Sequence, residues 1–106
     1  MDELCVVLTT APDGEVAKGL ARTLVAERLA ACVNVVPGLT SVYVWRGEGE
    51  EEAEVLLVAK VRRSAFDRYA ARLTELHPYD VPEIVALPAA AVSEAYRGWW
   101  LDQTDP

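Results

Sequence analysis

One histidine, His77, and two cysteines, Cys5 and Cys32, are the only imidazole and thiol groups in the 106 residues. So small a set excludes a zinc fold built on four thiolates, or on two thiolates and two imidazoles, and the cysteines lack the paired spacing of a redox motif. In a reducing compartment both read as small buried hydrophobes. Basic side chains are scarce as well: ten Lys and Arg stand against seventeen Asp and Glu, a net charge of -7. That field repels phosphate backbones, so nucleic acid is not an expected partner. No apolar run approaches the ~20 residues that cross a bilayer, which argues against a membrane partner. The opening MDELCVV leads with acids straight into a strand, unlike a signal peptide, and gives an expected cytoplasmic address. A glycine-rich phosphate loop, a nucleophile elbow and a zinc-hydrolase motif are missing. Ser41, His77 and Asp80 do not have the spacing of a triad, so no enzymatic activity is expected.

Apolar content is ample by contrast. Hydrophobic residues make up 52% of the chain, enough for one proper core, so residues 1–106 are expected to form a single domain. The run from Ala31 to Trp45, ACVNVVPGLTSVYVW, carries apolar groups on both parities. Val33, Val35, Tyr43 and Trp45 share one, and Cys32, Val36, Val42 and Val44 the other. Successive side chains of a strand face opposite sides, so both faces demand cover. At ~3.3 Å per residue the run extends roughly 50 Å, against about 30 Å for the diameter of a small domain. The strand has to overhang its own globule. Its expected cover is another copy of the chain.

The remaining elements follow from periodicity. Leu4 to Thr10 reads as a central strand, and Asp13 in the Ala11–Gly14 turn as the N-cap of a helix from Glu15 to about Ala30. That helix presents Ala17, Leu20, Ala21, Leu24, Val25 and Leu29 as its buried stripe. The long strand spans Cys32 to Trp45 with a bulge or bend at Pro37-Gly38. RGEGEEE, Arg46 to Glu52, reads as a polar hairpin tip, and Glu54 to Val61 as the returning strand. Ser64 and Asp67 form an expected capping box for a second helix, which Pro78 ends. Its stripe is Phe66, Tyr69, Ala70, Leu73 and Leu76. Pro82 to Leu87 is a short fourth strand, and Ser93 caps a last helix containing Tyr96, Trp99, Trp100 and Leu101. This βαββαβ order with a terminal helix predicts an α+β, ferredoxin-like split βαβ sheet with a long protruding hairpin.

Four stretches carry a family resemblance: TTAPD at Thr9–Asp13, AACVNVVPGLTSVYVWRGE at Ala30–Glu48, EAEVLLVAK at Glu52–Lys60 and HPYDVPEIVALP at His77–Pro88. Together, and in this order, they resemble the CutA family of divalent-cation tolerance proteins. The resemblance implies a trimeric ferredoxin-like fold whose sheet edges pair between subunits, in kinship with the nitrogen-regulatory PII proteins. It also implies binding of copper or other divalent cations and a part in metal tolerance, with no obligatory cofactor. Some family members hold copper with two adjacent histidines before the PY and a cysteine before the TAPD turn. Leu76 and Thr9 occupy the corresponding positions here, which leaves His77 alone of that set.

His77 is thus the expected metal ligand, for copper(II) or another divalent cation, with a helix C-terminal role as the competing reading. The acids Glu48 to Glu54 lack the pattern of a calcium loop and read as a solvated tip. Tyr43, Trp45, Glu54, Lys60, Tyr79 and Glu83 are the candidates for a pocket between subunits, with a Lys60–Glu83 pair lidded by Tyr79 or Trp45. Two alternatives stand beside metal binding. One is a PII-like signalling module taking a small anionic metabolite near Lys60 and Tyr79. The other is a stable structural assembly partner.

Overall fold

The computed structural model describes residues 2–106. Strand β1 (Leu4–Ala11) leads through helix α1 (Gly14–Ala26) to the long antiparallel pair β2 (Cys32–Trp45) and β3 (Glu48–Arg62). A 3-10 turn at Arg63–Ala65 then enters α2 (Phe66–Leu76), followed by β4 (Val85–Pro88) and α3 (Glu94–Asp102). The strands align as β2-β3-β1-β4, each antiparallel to its neighbour. This is the expected ferredoxin-like sheet, with β2 and β4 as its edges. Alternation in β1 and β3 sends Cys5, Val7, Val55, Leu57, Ala59 and Val61 to one face, where Ala17, Leu20 and Leu24 of α1 and Tyr69 and Leu73 of α2 close over them. On the opposite face α3 covers one end only, setting Trp100 against Leu4 and Ala31.

β2 occupies the span expected of it, and its irregularity falls at Pro37-Gly38. Val36 pairs with Leu56 and Leu39 with Glu54, so two residues oppose the single Val55. Gly38 takes the bulge's left-handed backbone, φ 87°. The bulge corrects the expected grouping by parity. Val33 and Val35 pack toward the helices, whereas Tyr43 and Trp45, beyond the extra residue, share a face with Glu52 and Glu54. The molecule is stretched to 44 × 25 × 23 Å. Val42 and Val44 are each 71% exposed, Tyr43 39% and Trp45 44%. Within one chain the outer hairpin has no cover.

Several boundaries move for local reasons. Helix α1 begins at the Asp13 cap, whose side chain accepts from the Val16 N–H at 2.9 Å. It ends at Ala26, short of Ala30, because Arg28 adopts φ 61° and turns its guanidinium onto Asp105 and the Asp102 carbonyl. Val25, expected in the buried stripe, is exposed, and Leu29 reaches the core from outside the helix. The acidic tip is not a loop. Glu48 to Glu52 are paired strand, and the reversal needs only Arg46 and Gly47, at φ 51° and 82°, a two-residue type I′ turn. The capping box of Ser64 does not form, since the 3-10 turn displaces the helix start and Ser64 Oγ donates to Asp2 instead. β4 starts three residues later than Pro82, at Val85.

Candidate functional site

After α2 the chain must leave the helix, because Pro78 disfavours the α region at His77, whose ψ is 139°. The segment from His77 to Glu83 wraps round the end of the sheet and meets the base of the hairpin. Between them lies a cleft of about 570 Å3. Ser41, Tyr43 and Trp45 of β2 form one wall with Glu52 and Glu54 of β3; Tyr79, Asp80 and Glu83 form the other.

His77 anchors this segment. It is 7% exposed, and its Nδ1 accepts the Tyr79 backbone N–H at 3.1 Å. Nε2 lies 2.8 Å from the Thr10 carbonyl oxygen. A carbonyl can only accept, and Nδ1 is already accepting, so the ring is the neutral form with its proton on Nε2. Neither nitrogen offers a free lone pair. Coordination would require Nδ1 to abandon the Tyr79 N–H or Nε2 to lose its proton and the Thr10 contact. The ring also lies against Tyr79, with centroids 4.6 Å apart.

Tyr79 carries this order to the carboxylate. Its hydroxyl donates to Glu54 Oε2 at 2.7 Å, and Glu54 is only 7% exposed. Burial first, and the Glu54 bond second, push the Tyr79 phenol well above its ordinary range and keep its proton in place. Tyr43 is raised too, by desolvation and then by Glu52 and Glu50. Among the described residues no donor reaches Glu54 Oε1, and no Lys, Arg or His forms an ion pair with this carboxylate. Glu54 therefore meets one donor, the Tyr79 hydroxyl, and no cation among the described residues of its own chain.

Five of the six pocket candidates meet here: Tyr43, Trp45, Glu54, Tyr79 and Glu83. Lys60 does not. It stands six residues along β3 from Glu54, about 20 Å at strand spacing, and its Nζ donates to Asn34 Oδ1 at 2.5 Å. The expected Lys60–Glu83 pair is therefore absent within the chain. Glu52 and Asp80 are not among the pocket residues expected from the sequence, yet both line the cleft. The period-two spacing of Glu52 and Glu54 is the available signal, since it puts both on one face. No group of three or more His, Cys, Asp and Glu converges for a metal ion among the described residues. One chain thus offers carboxylate oxygens to a cation without enclosing it.

Comparison with known proteins follows the same outline. Residues 5–103 match the family model described as CutA1 divalent ion tolerance protein. The divalent-cation tolerance protein CutA of Thermus thermophilus is 54% identical over 99 residues, covering 93% of this chain and 96% of that protein. A solved structure of the T. thermophilus divalent cation tolerance protein superposes with a TM-score of 0.92 at 52% identity, covering 99% of this chain and all of that one. CutA1 from Oryza sativa gives a TM-score of 0.94 at 42% identity, covering 97% of this chain and 94% of the other.

Proposed function

Because the chain belongs to the CutA1 divalent ion tolerance family, we propose that it serves cation tolerance as a cytoplasmic homotrimer whose acidic cleft takes up divalent cations, copper(II) among them. The cation is cargo and the role is sequestration or sensing, without turnover. The observation that carries this reading is Glu54, a buried carboxylate lacking a cation among the described residues. Glu52, Asp80 and Glu83 line the same cleft, and their field draws cations in. Binding by so open a set is weak within one chain and gains from donors of a neighbouring copy. His77 holds the Tyr79 segment and is not itself a ligand.

Self-association is supported by what one chain leaves bare. The outer hairpin shows Val42, Val44 and Trp45, and the edge strand β4 shows Val85 and Leu87, each 47% exposed. Two unpaired edges and an apolar overhang are a hazard in a monomer and a seam in a ring. The PII-like alternative loses support, since no Lys or Arg lines the cleft among the described residues and Lys60 is engaged elsewhere.

Calorimetric titration with copper(II) tests the site. Glu54→Gln should abolish uptake and His77→Ala should retain it; loss in a folded His77→Ala protein, with Glu54→Gln unaffected, would restore the histidine as ligand. Light scattering should give three chains per particle, and a monomer at micromolar concentration would refute the assembly. Trp45→Ala should weaken the trimer by about 2–4 kcal/mol per subunit if the ring is an anchor.

A further inference from the structure

We propose that α3 and the tail behind it, Glu94 to Pro106, form a strap that opens as a unit while the sheet stays folded. Two arginines from other elements latch it, and Asp2, near the opposite end of the chain, sets how firmly. The device involves neither the cleft nor the hairpin. The main core between the sheet and helices α1 and α2 contains no residue of α3, so that core survives the opening.

By itself α3 is a poor helix. It has nine residues, short of the ~12–15 at which an isolated helix is even marginal. Gly98 sits in its interior, where glycine is the least favourable residue after proline. Ser93 at the N-cap makes no side-chain bond to the first turn among the described residues, and the last turn holds no basic residue. Trp100 is the buried anchor, 2% exposed against Leu4 and Ala31. Its indole N–H finds no partner among the described residues, and an unmet buried donor offsets part of what the ring contributes.

The C-terminal cap comes from elsewhere in the chain. Arg62, closing β3, donates from Nη2 to the carbonyls of Leu101 at 2.8 Å and Thr104 at 3.1 Å, and from Nε to Thr104 Oγ1 at 2.9 Å. Arg28 donates from Nη2 to the Asp102 carbonyl at 2.7 Å and from Nε to Asp105 Oδ1 at 2.8 Å. Its own carbonyl accepts the Asp105 N–H at 3.1 Å, and Arg68 adds an exposed bond to the Pro106 carbonyl at 3.0 Å. Guanidinium groups at the carbonyl end of a helix meet its orphan acceptors and its dipole together. The remaining Arg62 nitrogen, Nη1, pairs with Asp2 Oδ2 at 3.0 Å, which Ser64 Oγ also meets at 3.1 Å. Arg97 of α3 donates to the Asp2 carbonyl. Asp2 thus steadies the guanidinium that caps α3 and is gripped by α3 in turn. Loosening either end of the chain loosens the other.

Amide hydrogen exchange of the intact protein tests the strap. Amides from Trp99 to Thr104 should exchange at least about tenfold faster than those of Val7 and Ala59 in the core strands. Arg28→Asn removes a guanidinium and keeps a residue that tolerates the positive φ there. It should speed strap exchange by about tenfold and leave β1 and β3 unchanged. Asp2→Asn, which weakens a part-buried ion pair, should speed it by roughly two- to fourfold. Gly98 has open space where a Cβ would stand, so Gly98→Ala should slow it by roughly three- to fivefold. Tryptic cleavage after Arg97 should follow the same order across the variants. Equal exchange in strap and core strands, equal acceleration of both by Arg28→Asn, or strap exchange indifferent to all three substitutions would each overturn the proposal. Rates that merely rise toward Pro106, with Trp99 as slow as the core, would reduce the strap to a frayed end and overturn it too.

Discussion

Tyr79 donates its phenolic proton to Glu54 at 2.7 Å, tying a loop that follows α2 to the base of a hairpin 25 residues earlier in the chain. Replacing Tyr79 by Phe removes the only donor that reaches this carboxylate among the described residues. A buried acceptor left unmet costs about 1–3 kcal/mol. Urea denaturation should therefore show a lower midpoint with an unchanged m-value. Adding Glu54→Gln to Tyr79→Phe should cost less than the sum of the two, because they share one bond.

His77→Ala should destabilise the fold by about 2–4 kcal/mol, since it orphans the Tyr79 N–H and the Thr10 carbonyl and leaves a void beside the Tyr79 ring. A shift in unfolding midpoint equivalent to less than about 0.5 kcal/mol would show that the histidine is peripheral to this anchor.

Tyr69 is completely buried in the main core, and its hydroxyl finds no partner among the described residues. Burial pushes its phenol far above the ordinary value of 10.0. The stability tied to this group is full below the unfolded value. It falls as pH rises above 10 toward the folded value, because the unfolded chain releases the proton first, by up to about 1.4 kcal/mol per pH unit. Tyr69→Phe should flatten that alkaline decline in chemical denaturation. At neutral pH it should be neutral or stabilising, within about 1 kcal/mol, as an unmet buried hydroxyl is removed.

The Arg46-Gly47 reversal has both residues at positive φ. Gly47→Ala should cost about 1–2 kcal/mol through left-handed strain. Arg46→Asn should raise thermal stability slightly, by roughly 0.5 kcal/mol, since Asn-Gly suits a type I′ turn. A lower melting temperature for Arg46→Asn would show that the Arg46 contact with the Trp45 ring outweighs the turn geometry.

Much of this architecture was legible in the chain. The bounds of β2 coincide with Cys32–Trp45 because apolar β-branched residues recur along it up to the turn, and Pro37-Gly38 announced its irregularity. What one sequence does not announce is pairing across strands. Glu48 to Glu52 look solvated, and they are, yet opposite partners in β2 make them strand. The faces of Tyr43 and Trp45 depend on a bulge whose extra residue has to be counted, not recognised by type. Ser64 has the residue types of a capping box, but Asp2, far away in sequence, takes its hydroxyl. Lys60 and Glu54 fall on one side of β3, and only distance along the strand shows that they cannot meet. His77 was visible as the sole imidazole; that both its nitrogens are spoken for depends on Thr10 and the Tyr79 N–H.

The arms of the hairpin are unequal: nine steps separate Val36 from Trp45, and eight separate Glu48 from Leu56. Removing Gly38 would match them, and every other residue would keep its opposite number. The rings would still overlook the acids, but the ribbon would lose its elbow. Such a trimmed chain would keep its chemistry intact and change only the angle at which the tip leans, so a failure to join its sisters would trace to steering alone.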